Sequence, residues 1–221
     1  MNQDEKYESN GLNELSRKLG YDFKNQDVLR EALRHSSYVN EIEPSDLSDN
    51  ERLEFLGDAV LGLAIGHILM RYFPEATEGD LSKSRASVVN EKGLCRVAEE
   101  LDLGRYILLG KGEELTQGRK KASILANSVE ALIGALYLEA GFEKTKEIIE
   151  RLFRPLLNQV AEGTVQEDYK SRLQEYTQQV YQSRPEYILI MEDGQPHKKT
   201  FRVAVKAVSY THLTLPTNRE V

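Results

Sequence analysis

Residues 50–58 read Asn-Glu-Arg-Leu-Glu-Phe-Leu-Gly-Asp and begin an unbroken stretch of helical apolar spacing that runs to residue 72. Three carboxylates, Glu51, Glu54 and Asp58, recur at i, i+3 and i+7, so a helix places them on one side. Acids with this spacing are usually a solvated helix face; otherwise, like charges held so close need a cation between them. Because leucine and phenylalanine are interleaved with the acids, the stretch predicts a helix that carries a site.

A second segment, residues 126–134, reads Ala-Asn-Ser-Val-Glu-Ala-Leu-Ile-Gly and places Asn127 and Glu130 at i and i+3. This spacing puts an amide oxygen and a carboxylate on one face of another helix. Clustered oxygen donors favour Mg²⁺ or Mn²⁺ over zinc. The two segments together indicate a site for a hard divalent cation.

These segments, with Glu-Gly-Asp-Leu-Ser at residues 78–82, resemble the three signature motifs of the bacterial ribonuclease III family in order and approximate separation. The run at 50–58 is highly specific, whereas residues 78–82 alone would mean little. The resemblance implies an all-α catalytic domain over residues 1–160, an endoribonuclease that cleaves double-stranded RNA by metal-assisted hydrolysis. It also implies a homodimer, products with 5′ phosphates and short 3′ overhangs, and a part in rRNA and mRNA processing.

Hydrolysis of a phosphodiester needs an activated water and a stabilised leaving oxygen, and metal ions held by carboxylates can supply both. We therefore expect Mg²⁺, with Mn²⁺ as the alternative, and Asp58 and Glu130 as catalytic residues. The expected metal ligands are Glu54, Asp58, Asn127 and Glu130. Asn127 stands where the family most often has aspartate, and because an amide brings no charge, weaker metal binding is expected.

Three further residues take their expected roles from the resemblance. Glu51 is a weaker ligand candidate and is expected, with Phe55, at the dimer interface. Glu78 is expected near the RNA backbone, although an acid there could simply favour the positive end of a helix dipole.

Composition sets outer limits on the function. The chain has 221 residues, 40% of them hydrophobic, which is enough for one large or two small domains. The chain has a single cysteine, Cys95, which excludes an internal disulfide. Its amino terminus is polar, unlike a signal peptide, and the apolar run at residues 59–70 is too short to cross a bilayer. A cytoplasmic protein with no membrane partner follows. Gly110-Lys111-Gly112 lacks P-loop spacing, and no small-molecule cofactor is expected.

The net charge of −7 is unusual for a protein that binds nucleic acid. It is uneven, because residues 1–167 hold 21 basic against 30 acidic residues, whereas residues 168–206 hold 7 against 5. Divalent cations would neutralise part of the acidic region and bridge it to phosphate, so RNA remains a compatible substrate. Arg119-Lys120-Lys121 is either a solvated loop or a contact to RNA phosphates.

Apolar periodicity predicts a helical pattern through the first 160 residues, with a loop over residues 41–49. Residues 78–101 are expected to hold one or two helices, and Ser82 is the expected start of the first. Gly141 is expected to end a helix that begins at residue 123, and a further helix is expected over residues 143–160.

The composition changes at residues 161–167, which predict a linker. A helix over 169–181 and strands over 187–191 and 201–206 are expected next. Residues 168–208, notably Arg-Pro-Glu-Tyr at 184–187 and His-Lys-Lys-Thr-Phe at 197–201, resemble part of an α+β double-stranded RNA-binding domain. Such domains contact the minor groove of the RNA duplex through the first helix and through the loop between the first two strands. The matching positions are Ser171, Gln174, Glu175, Gln178, Pro196 and His197. Without the resemblance, the glutamines would be ordinary helix surface.

Residues 209–221 depart from that domain, which would continue with a third strand, a turn and a lysine-rich helix. We therefore expect an atypical tail that is not native to the family. The incomplete domain is expected to have two strands, to be weakly folded or disordered, and to bind RNA poorly.

The alternative function is a non-catalytic double-stranded RNA-binding accessory protein on the same scaffold. A pseudo-enzyme would be expected to lose the acids, and Glu54, Asp58 and Glu130 are all present. A helical phosphohydrolase for small nucleotides would normally need histidine ligands, and none accompanies these segments.

Overall fold

The structure is a computed structural model that describes residues 3–42, 46–162, 169–193, 200–208 and 211–218. The chain divides into two compact units, Met1–Val165 (unit 1) and Gln166–Val221 (unit 2). The division falls within residues 161–167, the segment for which the sequence predicts a linker.

The regular elements among the described residues of unit 1 are all helices, apart from one isolated β-bridge. The predicted all-α fold is therefore confirmed. The helices are α1 (Gln3–Leu19), α2 (Gln26–Ala32), α3 (Ser36–Glu41), α4 (Glu51–Tyr72), α5 (Glu78–Val88), α6 (Glu91–Glu100), α7 (Lys111–Leu115), α8 (Ala122–Leu152) and α9 (Arg154–Ala161), with 3₁₀ turns at Leu103–Arg105 and Gly118–Lys120.

Helices α4 and α8 form the centre of unit 1. Leu61, Ile65 and Leu69 on α4 and Leu132 and Leu136 on α8 are almost completely buried. By length and composition alone both helices are apolar enough to cross a membrane, but the core helices of soluble proteins pass the same test. Since these two bury their apolar residues inside unit 1, packing accounts for their composition.

Local sequence signals set the ends of the other helices. α1 ends before Gly20, whose φ of 65° is a conformation that glycine adopts more easily than any other residue. α5 begins at Glu78 rather than at Ser82, which corrects the predicted start. The reason is Thr77, whose hydroxyl oxygen accepts a hydrogen bond from the backbone N–H of Asp80 at 3.2 Å and caps the helix.

A predicted helix end lies within α8. We expected one helix to end at Gly141 and another to begin at residue 143, and α8 consists of two helical segments that meet at this glycine. Gly141 has φ 74° and ψ 175°, which is not helical, so the helical backbone is interrupted where the sequence predicts it. The buried hydroxyl of Thr145 donates a hydrogen bond to the Gly141 carbonyl at 2.8 Å and supports the kink.

Unit 2 combines one helix with a three-stranded antiparallel sheet in the order β1-β2-β3. Its elements are α10 (Tyr169–Tyr181), β1 (Glu186–Asp193), β2 (Thr200–Val208) and β3 (Thr211–Asn218). Tyr187 on β1 lies opposite Val205 on β2, and Val203 lies opposite Leu215 on β3. The predicted α+β fold of this part of the chain is confirmed.

The third strand corrects the expectation of a two-stranded unit. Residues 211–218 belong to the segment that we expected to be an atypical tail, yet they pair with β2 along most of its length. In their sequence, Thr-His-Leu-Thr-Leu-Pro-Thr-Asn, Leu213 and Leu215 alternate with polar residues, a pattern typical of a strand. Pro216 is tolerated because β3 lies at the edge of the sheet.

Candidate active site

The centre of unit 1 contains a close backbone contact between α4 and α8 at Gly57 and Gly134. A Cβ atom on Gly57 would lie 1.7 Å from the carbonyl oxygen of Glu130, and one on Gly134 would lie 2.2 Å from that of Leu53. Real atoms cannot approach so closely, so only glycine allows the helices to meet here. The contact lies beside Asp58 and at the backbone of Glu130, and it therefore brings the two acidic segments together.

Glu54 lies on α4 next to this contact and is partly buried. Burial raises the pKa of Glu54 most, the nearby Asn127 amide on α8 lowers it, and the charges of Glu51, Asp49 and Asp58 raise it. A side chain from each segment is thus within interaction range of the other.

Glu130 lies on α8 at the same contact. Burial, followed by the charges of Asp58 and Glu54, raises the pKa of Glu130 to about 7. The structure therefore brings the three carboxylates within electrostatic reach of one another, with the Asn127 amide beside Glu54. Burial and the neighbouring negative charges favour the protonated forms of Glu54 and Glu130.

Four side chains of this site carry oxygen atoms that could hold a metal ion. Within the described ranges, no three His, Cys, Asp or Glu side chains already form a metal-binding group. The raised pKa values of Glu54 and Glu130 nevertheless mark a place where positive charge would be stabilising. Carboxylate and amide oxygens suit Mg²⁺ or Mn²⁺ by ligand type, and side-chain rotation would be needed to gather them.

The two residues expected at a dimer interface lie on the outer surface of α4. Glu51 is exposed, and Phe55 is 80% exposed. Further along the same helix, Leu63 is 60% exposed and Met70 is 65% exposed. Large apolar side chains that recur on the outside of a core helix are typical of a surface that another chain covers.

Two other candidates have clear local roles in the structure. Glu78 is the first residue of α5 and accepts a hydrogen bond from the Ser82 hydroxyl at 2.8 Å, so it lies at the positive end of that helix. Arg119 donates hydrogen bonds to the carbonyls of Gly104 at 2.8 Å and Ile107 at 2.7 Å. These bonds hold the guanidinium against the protein backbone, so we assign Arg119 a structural role.

In unit 2, Gln174 and Gln178 lie on α10 and line a groove of about 640 Å³ together with Gln179 and Arg184. Amides and a guanidinium are groups that bind ribose hydroxyls and phosphates. The other residues expected to contact RNA have side chains outside the described part of the structure; they are Ser171, Glu175, Pro196 and His197.

Asn50, the first residue of the 50–58 stretch, has a role that the sequence pattern does not indicate. In the structure it is only 4% exposed, and its side chain donates a hydrogen bond to the Ala32 carbonyl. No periodicity distinguishes a buried asparagine from one that caps an exposed helix end, so only the tertiary structure could reveal this contact.

Comparisons with known proteins agree with the resemblance. A family model described as Ribonuclease-III-like matches residues 25–156. Ribonuclease 3 of Syntrophobacter fumaroxidans is 48% identical over 201 residues, which cover 89% of this chain and 83% of the relative. Ribonuclease 3 of Nitratiruptor sp. is 46% identical over 194 residues, which cover 88% of this chain and 83% of the relative.

A solved structure gives the same answer for the fold. The nuclease domain of ribonuclease III from Campylobacter jejuni superposes with a TM-score of 0.60 and 46% sequence identity. The match covers 64% of this chain and 95% of that domain. The chain therefore belongs to the ribonuclease III family and is an endoribonuclease of that type.

Proposed function

We propose that the face where α4 and α8 meet is a metal-dependent site that hydrolyses double-stranded RNA. The observation that carries the proposal is the backbone contact at Gly57 and Gly134, because it gathers the acids of two distant segments. Burial and repulsion from neighbouring carboxylates both disfavour the ionised forms of Glu54 and Glu130 at this place. Carboxylates at positions where the surrounding protein disfavours their charge are typical of a functional site.

The proposed metal ligands are Glu54, Asp58, Asn127 and Glu130, and the proposed cofactor is Mg²⁺, with Mn²⁺ as the alternative. When bound, the metal would supply an activated water and stabilise the leaving oxygen of the phosphodiester. The Asn127 amide lies beside Glu54 and lowers the pKa of its carboxyl. Since Asn127 contributes no charge, the ligand set binds the cation less strongly than one with aspartate at this position.

The proposed catalytic residues are Asp58 and Glu130. Because the pKa of Glu130 is about 7 before metal binds, this carboxyl can accept or release a proton near neutral pH. Asp58 is exposed beside Gly57, where an RNA backbone can reach it from solvent. Protonation of Glu130 below pH 7 would remove a negative ligand, so cleavage should decline as the solution becomes more acidic.

We also propose a homodimer formed through the outer surface of α4. Phe55, Leu63 and Met70 are exposed along this helix, Leu138 on α8 is 59% exposed, and Glu51 lies near the start of α4. The nuclease domain from Campylobacter jejuni has a region described as involved in dimer formation, which supports the proposal. A twofold pair would present two sites to one duplex, so staggered cuts with short 3′ overhangs and 5′ phosphates would result.

RNA contacts outside the cleavage site are proposed for both units. In unit 2 the groove lined by Gln174, Gln178 and Arg184 supplies hydrogen-bond donors and a cation. Ser171, Glu175, Pro196 and His197 are retained as candidates from the resemblance, and so is Glu78 in unit 1. Processing of rRNA and mRNA in the cytoplasm, without a membrane partner or small-molecule cofactor, completes the proposal.

A cleavage assay tests the proposed function. The full chain is incubated with a long RNA duplex and Mg²⁺, beside a Glu130→Ala variant and a Glu147→Ala control. Glu147 lies on the same helix but is 70% exposed and pairs with Lys144. We expect wild type and the control to cut the duplex to short staggered fragments, and the Glu130→Ala variant to lose cleavage. Equal cleavage by all three proteins would remove the assigned site.

A further inference from the structure

Asn50 occupies the N-cap position of α4 but makes no side-chain capping bond there. An asparagine in this position normally accepts a hydrogen bond from a backbone N–H of the first helical turn. Here Asp49 supplies such an acceptor instead, because its carboxylate accepts from the Glu51 backbone N–H at 3.2 Å. The buried Asn50 side chain points away from the helix and donates to the Ala32 carbonyl at 3.3 Å.

The backbone of Asn50 links the same two elements. Its N–H donates to the Arg34 carbonyl at 2.9 Å, and its carbonyl accepts from the Glu54 N–H at 2.9 Å. One residue therefore joins the end of α2 to the turn of α4 that carries Glu54. Side chain and backbone both hold it, so the start of α4 has a fixed position relative to residues 32–34.

Residues 33–35 are themselves anchored on a third segment. The Leu108 N–H donates to the Leu33 carbonyl at 2.8 Å, and the His35 N–H donates to the Leu108 carbonyl at 3.1 Å. The Arg34 guanidinium also reaches forward to the Ser48 carbonyl at 3.3 Å. Asn50 thus attaches the first turn of α4 to a part of unit 1 that is held independently of the α4–α8 contact.

We infer that Asn50 is a positioning residue for the metal site, and this inference rests on the proposed function. The glycine contact fixes α4 at Gly57, and Asn50 fixes it one turn before Glu54. With both anchors in place, the turn of α4 that carries Glu54 is held beside the Glu130 backbone of α8. Without the Asn50 side chain, the Ala32 carbonyl loses a donor in a buried place, and the first turn of α4 gains freedom to move.

Two measurements on the full chain without RNA test this inference. The first is the affinity for Mn²⁺, followed by electron paramagnetic resonance of the free ion. The second is amide hydrogen exchange of residues 51–54 in the metal-free protein. The variants are Asn50→Ala, Asn50→Ser and the control Asn90→Ala. Asn90 caps α6, because its side-chain oxygen accepts a hydrogen bond from the Gly93 N–H at 2.8 Å.

We expect Asn50→Ala to weaken Mn²⁺ binding about tenfold, as is typical when the support of a ligand is removed. Amide exchange over residues 51–54 should accelerate in the same variant. Asn90→Ala makes the same chemical change at a remote helix end, and it should leave both measurements at the wild-type value. Asn50→Ser is the second variant should Asn50→Ala fail to fold, and it should show both effects to a smaller extent.

Mn²⁺ affinity in Asn50→Ala equal to that of wild type would overturn the inference, and so would an equal loss in Asn90→Ala. A Glu130→Ala variant separates this failure from failure of the proposed function. If Mn²⁺ binds wild type and Glu130→Ala equally, the metal site itself is wrong and the positioning role toward it falls as well. If only Glu130→Ala loses binding, the metal site stands and Asn50 alone is misassigned.

Discussion

Replacing Glu130 with glutamine should stabilise the metal-free protein at alkaline pH, although it removes a proposed catalytic group. Burial and the charges of Asp58 and Glu54 raise the pKa of Glu130 to about 7. The folded state therefore binds this proton more tightly than the unfolded state does. The resulting stabilisation is complete below the unfolded pKa and is lost as the pH rises through about 7. Glutamine has a similar shape and stays neutral, so it avoids that loss.

The size of the effect follows from the pKa difference. A shift from 4.5 to about 7 corresponds to an upper limit of about 3.4 kcal/mol, at about 1.36 kcal/mol per unit. Because the side chain is only partly buried, solvent screens the interaction, and we expect a gain of about 1–2 kcal/mol at pH 8. For a protein of this size, such a gain raises the Tm by about 3–6 °C.

Thermal unfolding followed by circular dichroism, with a chelator present, measures this difference at pH 5 and pH 8. Glu147→Gln is the control, since Glu147 is an exposed glutamate on the same helix. The gain should be present at pH 8, nearly absent at pH 5, and absent from the control at both. With excess Mg²⁺ the wild type should gain stability that Glu130→Gln does not. A Glu130→Gln protein no more stable than wild type at pH 8, or equally stabilised at pH 5, would refute the reasoning.

Three other changes test different parts of the structure. Gly134→Ala places a methyl group against a backbone carbonyl, so it should lower the free energy of unfolding by about 2 kcal/mol or more and abolish cleavage. Gly112→Ala, whose methyl group would lie in open space, should do neither. Equal effects of the two changes in thermal unfolding and cleavage assays would contradict the close contact. Phe55→Asp should convert the proposed dimer to a monomer, as measured by light scattering, and Leu115→Asp, at an 86% exposed site on α7, should not. A dimer mass for both variants would contradict the α4 interface. Asn127→Asp adds a charged ligand and should lower the Mg²⁺ concentration for half-maximal cleavage; a higher concentration would contradict its place among the ligands.

The sequence predicted the parts of the fold that depend on local pattern. Apolar spacing located α4, and the acids at residues 50–58 and 126–134 indicated the two helices that meet in the structure. The close contact at Gly57 and Gly134 was not predicted, because a glycine inside a helical pattern does not say what lies opposite it. The interruption at Gly141 was predicted correctly, because a positive φ is a local property that glycine favours, and Ile148 and Ile149 bury the segment that follows it.

Two other differences have the same physical origin. Residues 211–215 alternate in a way that suits a strand, but residues 209–221 depart from the family pattern, which predicts a tail instead. β2 supplies the backbone partners that a strand needs, and partners of this kind are tertiary information. Likewise, nothing local to Asn50 shows that the Ala32 carbonyl lies within reach of its amide.

The contact at Gly57 and Gly134 also has a consequence for how this enzyme can change over evolutionary time. Main-chain atoms hold the two helices together there, so the crossing is insensitive to which functional groups surround it. Substitutions such as aspartate to asparagine at position 127 can therefore retune cation affinity while the scaffold stays intact. Divergence in catalytic strength and preservation of architecture can proceed independently in such a protein.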